Sequence, residues 1–545
     1  MSETWPGMTG NWHLVRIGTR AADEGTCPEQ QAAKALPSVW PGQRSYVRKQ
    51  FLNDFPLGAV MNALDDVELR GLSREQVIER LGREAKPPMH PGAIRWARHA
   101  VVEYLDAAAC IDTPATTPVP HYWVAQQARG EVLWELYAWG RRYASPDGTV
   151  REFRFIRFGE ANMDKWDKGD AGKRGRARVA IAAYAAAFGI PAPKPDPWGE
   201  AFRPLRGEHP VVQRIRVLEV GLEGGKAAVL FDGTPAQAEK LYAEHARDQV
   251  RTIKVGGEAQ PGTECAGCKL NTACYTLPRI PGLLGVADPT APQRTWSVSN
   301  GRSYQVCPAQ DHLLRLHIPK QNEYSESAVR GHAVHAWLEE NHRNPLHAAC
   351  TVWDIPLQPD DWTAGKWHIT GEEALTGSRM LANHADLCPY MRGDQITEVR
   401  LEPTLAFHDT DANVIVIAKP DMLYKEDGSW VYRETKTRQR PLRPGTDLFH
   451  DFPQLALATV LMAENALGGK PAGTRIELEL LTSDTADVLL IDPSDPAEVA
   501  MARTAVHDLA ASWHSDKAAA ARPGKHCQSC PVSRWCPDVQ VGETA

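Results

Sequence analysis

Apolar and polar residues alternate with period two in four stretches of the chain. Residues 214–231, "RIRVLEVGL" followed by "AAVLF", and residues 475–491, "RIELELL" followed by "DVLLI", each read as a pair of strands. Residues 135–158 and 414–437 also alternate, and each surrounds an Asp-Gly dipeptide, Asp147-Gly148 and Asp427-Gly428, which signals a hairpin. The period changes to that of a helix in "TPAQAEKLYAEHARDQVRTI" (234–253) and "DPAEVAMARTAVHDLAASWH" (495–514). Helical segments also open at Gly58 ("LGAVMNAL") and Gly331 ("RGHAVHAWL"). The same succession of periods therefore occurs twice, which predicts an internal duplication in an α/β protein. The Pro-rich stretch "GVADPTAPQRT" places a linker at 285–295, between domains spanning 1–284 and 296–545.

Length and composition fit this picture. At 545 residues, 43% of them hydrophobic and 24% charged, the chain is long enough for two to four domains of ordinary soluble composition. It has no apolar run near the roughly 18–20 residues that a membrane span requires, and its first residues lack the basic and apolar regions of a secretory signal. The expectation is a cytoplasmic protein without membrane partners, whose thiols stay reduced. Net charge is −7, but residues 1–284 carry +4 and residues 285–545 carry −11. A polyanionic partner would lean on the first half and on local basic runs in the second.

The eleven cysteines sharpen the duplication. Cys265, Cys268 and Cys274 share their spacing with Cys527, Cys530 and Cys536, and each triplet has a distant upstream Cys-Pro, at Cys27 and Cys307. Three thiolates need a fourth ligand. His526 could complete a zinc site in the second half, but no histidine lies near the first triplet. The remote cysteine serves both halves, and all-thiolate coordination suits an iron–sulfur cubane that clips the ends of a domain together. Cys110, Cys350 and Cys388 are expected to be ordinary buried thiols.

Four polar positions in the second half fall in a suggestive order. His335 lies on a helix and Asp421 ends an apolar run. Beyond the turn at Asp427-Gly428, Glu434 and Lys436 share one face of the returning strand. A hairpin of this length sets Asp421 beside Glu434. Two adjacent carboxylates call for a cation between them, and Lys436 could orient a water and offset charge on a phosphate. Any one of these residues alone has a bland reading, as turn, solvated face or structural histidine. Their order together with the cysteine triplet is more specific.

That combination resembles the RecB-like and AddB-type PD-(D/E)XK nucleases, and the single-domain nucleases of CRISPR adaptation. Cys307 stands as the early cysteine and Gly331 to His335 as G-x-x-x-H. Ala418 to Asp421 take the place of G-x-x-D, and Glu434-Thr435-Lys436 that of E-x-K. Gln454 begins the counterpart of Q-x-x-x-Y, with Ala458 where tyrosine is expected. The resemblance covers roughly residues 296–540. It implies a restriction-endonuclease-like fold, a central mixed sheet flanked by helices and closed by a four-cysteine cluster, here in tandem. It also implies Mn²⁺ or Mg²⁺ held by His335, Asp421, Glu434 and the carbonyl of Thr435, with Lys436 and Gln454 completing the catalytic set. A [4Fe–4S] cluster would sit on Cys307, Cys527, Cys530 and Cys536, and a second on Cys27, Cys265, Cys268 and Cys274. The expected reaction is hydrolysis of DNA phosphodiesters in repair, recombination, phage or defence, on single strands or ends. The basic run 433–443 offers Arg438, Arg440 and Arg443 as a phosphate track.

The first half lacks this chemistry. Asn62 takes the place of His335, counting back from the Asp147-Gly148 turn puts Arg141 in the place of Asp421, and the returning strand has no lysine. The expectation is a silent twin that binds DNA through Arg141, Arg142, Arg151, Arg154 and Arg157, and through "KRGRAR" with Arg174 and Arg176. Two rival readings compete with the nuclease. One is a non-catalytic Fe–S scaffold subunit of a helicase–nuclease or defence complex. The other is a zinc or redox regulator, for which no helix-turn-helix signal is present. No P-loop appears, so unwinding would need a helicase partner.

Overall fold

The computed structural model describes residues 5–22, 27–42, 50–83, 85–111, 116–161, 169–321, 324–344 and 348–539. The protein is a mixed α/β chain built around two five-stranded sheets. In the second half the strand order is Ile396–Leu401, Met422–Glu426, Ser429–Thr437, Arg475–Leu481, Ala486–Ile491. Every neighbouring pair is antiparallel except Ser429–Thr437 with Arg475–Leu481, which run parallel. The helix Pro453–Ala463 lies in the crossover that a parallel pair needs.

The first half repeats this order with Thr117–Pro118, Arg141–Ala144, Val150–Arg157, Arg214–Gly221 and Ala227–Gly233. Again only the third and fourth strands are parallel, and again a helix, Gly169–Phe188, lies between them. A smaller sheet also recurs. Leu14–Ile17 pairs parallel with Val132–Leu136, which pairs antiparallel with Tyr122–Arg129; Arg294–Ser297, Val414–Ala418 and Leu405–Asp409 do the same.

Each five-stranded sheet is packed on both faces. In the second half, Tyr432, Leu478 and Leu480 meet the helices Pro453–Ala463 and Pro496–Ser515, while Tyr424 and Val431 meet the helices Glu326–His342 and Gly371–Ala385. In the first half, Phe153, Ile215 and Val217 pack on the alanine face of Gly169–Phe188, where Ala182, Ala183 and Ala186 allow close approach. Leu222 and Val220 pack on Trp96, Ala97 and Tyr104 of the helix Pro91–Cys110. The segment expected to be a helix at 234–253 is broken at Ala246, whose φ of −135° leaves the helical region between Pro235–His245 and Arg247–Thr252.

The halves interlock. Val532 and Trp535, beside the second cysteine triplet, lie in the same core as Trp96 and Val101, and Arg95 donates to the carbonyl of Cys536. Reciprocally, Leu277, just past the first triplet, packs on Ala406 and Ile415. The Pro-rich stretch 285–295 is held in place, because Asn413 donates to the carbonyl of Ala291 and Gln293 donates to Asn413. No helix among the described residues is long and apolar enough to cross a membrane.

Candidate active site and cysteine clusters

Asp427 and Gly428 form a two-residue hairpin turn with φ of 50° and 83°, and such tight turns require positive φ at both positions. Strand pairing runs from Glu426 opposite Ser429 to Met422 opposite Arg433. Asp421 therefore falls level with Glu434. The Thr435 N–H donates to Asp421 Oδ2 at 2.8 Å, tying the aspartate to the edge of the returning strand. The His335 helix, Glu326–His342, is capped by the Ser325 side chain and brings His335 Nδ1 to 3.4 Å from Asp421 Oδ1.

Lys436 completes the group. Its Nζ lies 2.7 Å from Glu434 Oε2, 3.0 Å from the Thr435 carbonyl oxygen and 3.4 Å from Asp421 Oδ2. The ammonium thus contacts the three oxygens expected to hold a divalent ion. Glu434 is 4% exposed, whereas His335, Asp421 and Lys436 are each about a quarter exposed, so the group opens to solvent on one side. Burial, and then the charge of Asp421, push the Glu434 carboxyl up to about 7. Burial opposes ionisation of Asp421, but His335 and Lys436 outweigh it and hold Asp421 below the usual carboxylate range. Burial likewise opposes the charge on His335, and the adjoining Asp421 outweighs that and raises its pKa. This donor set of carboxylates, a carbonyl and an imidazole suits a hard divalent cation. A cavity runs from His335 and Asp421 past Thr435 to His342 and Glu479.

Behind the site lies a buried charge network. Arg433 Nη1 reaches Glu477 Oε2 at 2.6 Å, and its Nη2 reaches Glu479 Oε1 at 3.0 Å. Arg433 is 2% exposed, so it belongs to the interior and not to the basic track expected from residues 433–443. Of that track, Arg440 and Arg443 are exposed, and Arg438 is half-buried over the Phe452 ring. Gln454 is half-buried at the start of Pro453–Ala463, and among the described residues its side chain makes no hydrogen bond. Ala458 is wholly buried in the core.

The eight cysteines form two groups with one pattern. Cys307, Cys527, Cys530 and Cys536 line a single cavity, which His526 also borders. Backbone N–H groups of Arg522 and Gly524 donate to the sulfurs of Cys307 and Cys527, both at 3.4 Å, and that of Val532 to Cys530. In the first half Gln260 and Gly262 donate to Cys27 and Cys265, both at 3.3 Å, and Leu270 to Cys268. Counted from the first cysteine of each triplet, the donors stand at the same offsets. Burial, and then the neighbouring Cys265, Cys27 and Cys274, push the Cys268 thiol up to about 11. Thiolates crowded this way call for a cationic centre.

Three expectations need correction. Cys350 and Cys388 are buried, but they are not ordinary core thiols. They lie with His342 and His384 in one cluster whose ligand atoms are all within 4.8 Å of one another. The available signal was "HADLC", a His-x3-Cys at 384–388, together with His342 eight residues before Cys350. Cys110, also expected to be buried, is exposed.

The third concerns the first-half arginines, which face inward. Arg141 is buried against Asp65 and Glu68 of the helix Pro56–Glu68, and Arg154 and Arg216 share Glu152. Arg151 donates to the carbonyls of Ala186 and Gly189, Arg142 to those of His121 and Gly140, and Arg157 to Glu219. These cations answer internal acceptors and leave little for DNA. Arg176 is exposed on its helix, and the Arg174 side chain lies outside the described residues.

The first-half hairpin also differs in its turn. Ala144 pairs with Arg151 around a longer loop in which Asp147 caps Ser145 and Thr149.

Residues 295–537 match the PD-(D/E)XK nuclease superfamily and form a domain of that kind. No curated protein matches the chain.

Proposed function

We propose that the second half is a metal-dependent deoxyribonuclease that hydrolyses phosphodiester bonds, and that the first half is its catalytically silent twin. The observation that carries this reading is the meeting of Asp421, Glu434, the Thr435 carbonyl and Lys436, with His335 on the open side. It occurs inside the segment matched to the nuclease superfamily.

Asp421, Glu434, the Thr435 carbonyl and His335 would hold Mn²⁺ or Mg²⁺, which supplies Lewis acidity and a water of lowered pKa. Lys436 has two tasks. Its ammonium offsets part of the penalty on the ionised form of the buried Glu434, and on the open side it can orient a water and offset charge developing on the phosphate. Arg438, Arg440 and Arg443 follow directly from the site strand and would guide the phosphate backbone. The two cysteine groups fit [4Fe–4S] clusters, with four thiols each and peptide N–H groups aimed at the sulfurs. Such clusters would fasten each domain's distant segments together. The repeated strand order and the repeated donor offsets support two nuclease-like folds in tandem, with bounds near 1–284 and 296–545. Repair, recombination or defence, with a helicase partner for unwinding, is the setting this reading fits.

The test uses the full chain, purified anaerobically and supplied with Mn²⁺ or Mg²⁺. Labelled single-stranded, linear duplex and closed circular DNA and an RNA of the same sequence serve as substrates. Metal-dependent cleavage of DNA is expected, reduced on the order of 100-fold in Lys436→Ala. Equal cleavage by that variant would remove the catalytic assignment. Attack on the circle would identify an endonuclease.

A further inference from the structure

We propose that His342, Cys350, His384 and Cys388 bind one zinc ion in a closed structural site, separate from the nuclease centre and from both cysteine quartets. The four residues are buried, and their ligand atoms lie within 4.8 Å of one another. That spacing suits a single ion; the thiolates around a cubane stand farther apart, outside the cluster's own iron and sulfur atoms.

Two of the ligand-to-ligand distances match tetrahedral coordination. Zinc–nitrogen bonds of about 2.05 Å and zinc–sulfur bonds of about 2.3 Å at tetrahedral angles separate two nitrogens by about 3.3 Å, and a nitrogen from a sulfur by about 3.6 Å. His342 Nε2 and His384 Nε2 are 3.3 Å apart, and Cys388 Sγ is 3.6 Å from His342 Nε2. The surroundings are those of a metal-binding imidazole. Glu479 Oε1 accepts from His384 Nδ1 at 2.7 Å, which leaves the Nε2 lone pair pointing into the cluster. The Cys350 N–H is directed at Cys388 Sγ at 3.4 Å, and a thiolate welcomes such a donor. Two imidazoles and two thiols select zinc over the hard cations of the nuclease site. Four protein ligands leave no open position, so the role is structural.

The location explains what the ion would do. His342 ends the helix Glu326–His342 and Cys350 follows it, while His384 lies in the last turn of Gly371–Ala385 and Cys388 follows that. The ion would lock the C-terminal ends of these two helices together against the sheet. His335 stands seven residues before His342, two turns along one face of the same helix. Fixing His342 therefore fixes the register in which His335 meets Asp421.

The experiment counts zinc by difference, because cysteine quartets lacking iron can also take zinc. Full chain and Cys350→Ser/Cys388→Ser are purified side by side, with zinc and iron measured in each. One zinc equivalent fewer in the variant, with iron unchanged, is expected. Equal zinc in a folded variant would overturn the proposal. Should the variant fail to fold, X-ray absorption at the zinc edge of the wild-type chain decides. A shell of two nitrogens and two sulfurs is expected; an all-sulfur shell, or absence of zinc, would overturn it.

Discussion

The Thr435 hydroxyl donates to Glu479 Oε2 at 2.8 Å, while the other oxygen of that carboxylate meets His384 Nδ1 at 2.7 Å. One wholly buried acid therefore spans the strand that carries Glu434 and Lys436 and the helix that carries a cluster histidine. Arg433 supplies its counter-charge at 3.0 Å. In Glu479→Gln the hydroxyl keeps an acceptor but Arg433 loses half of its buried partner set. Removing one member of a buried pair costs about 3 kcal/mol. Urea denaturation should show that loss. Unchanged stability would mean that the carboxylate carries no charge in the fold.

Glu434→Gln should behave in the opposite way. The carboxyl is buried, and its ionised form is disfavoured by burial and by Asp421. The amide still accepts from Lys436 and removes the repulsion. Cleavage should drop on the order of 100-fold, while the melting temperature holds or rises. A variant that loses both activity and several degrees would make Glu434 a structural residue.

The hairpin and the place of Asp421 opposite Glu434 were legible in the sequence, because a two-residue Asp-Gly turn dictates register. In the first half the same dipeptide sits in a longer loop closed by Asp147, so there the turn does not dictate register in the same way. Pairing of the distant Cys27 and Cys307 with their triplets followed from repetition. The inward arginines did not, since composition reports charge and not the acceptors that Asp65, Glu152 or the Gly189 carbonyl provide. The cluster of His342, Cys350, His384 and Cys388 was hidden for a related reason: its two halves come from different helices and meet only through tertiary packing.

Each cysteine quartet should load independently. An anaerobically prepared chain is expected to hold about eight irons, and Cys27→Ser or Cys307→Ser should each leave about four. Iron and sulfide analysis with visible absorption checks this. About four irons in the wild-type chain, lost altogether in Cys307→Ser, would assign a cluster to the second half alone.

Inward and outward arginines should separate in binding assays. Arg440→Ala and Arg443→Ala remove exposed cations beside the site. Each should weaken DNA affinity and lower the slope of log affinity against log salt by about 1. Arg141→Met removes the counter-charge of Glu68, whose side chain is 11% exposed and keeps only the Tyr143 hydroxyl as a donor among the described residues, and should cost about 3 kcal/mol of stability with the salt slope unchanged. A reduced slope in Arg141→Met would return the first half to the phosphate contacts.

Acid should loosen the junction between the halves through His312. Its ring lies 5.3 Å from that of His90, centroid to centroid, is 7% exposed, and has no partner for Nε2 among the described residues. Burial, and then the nearby Arg315 and His90, bring its pKa down to about 3. The unfolded chain takes up this proton near about pH 6.5 and the folded chain does not, so the unfolded state binds more protons below that point. Stability is therefore fully present above about pH 6.5 and is lost as pH falls toward 3, at about 1.4 kcal/mol per pH unit from this one group. His312→Leu has no proton to take up. Its melting temperature should fall less steeply than that of the wild type between about pH 6.5 and about pH 5, and parallel curves would show that His312 is already protonated in the folded protein.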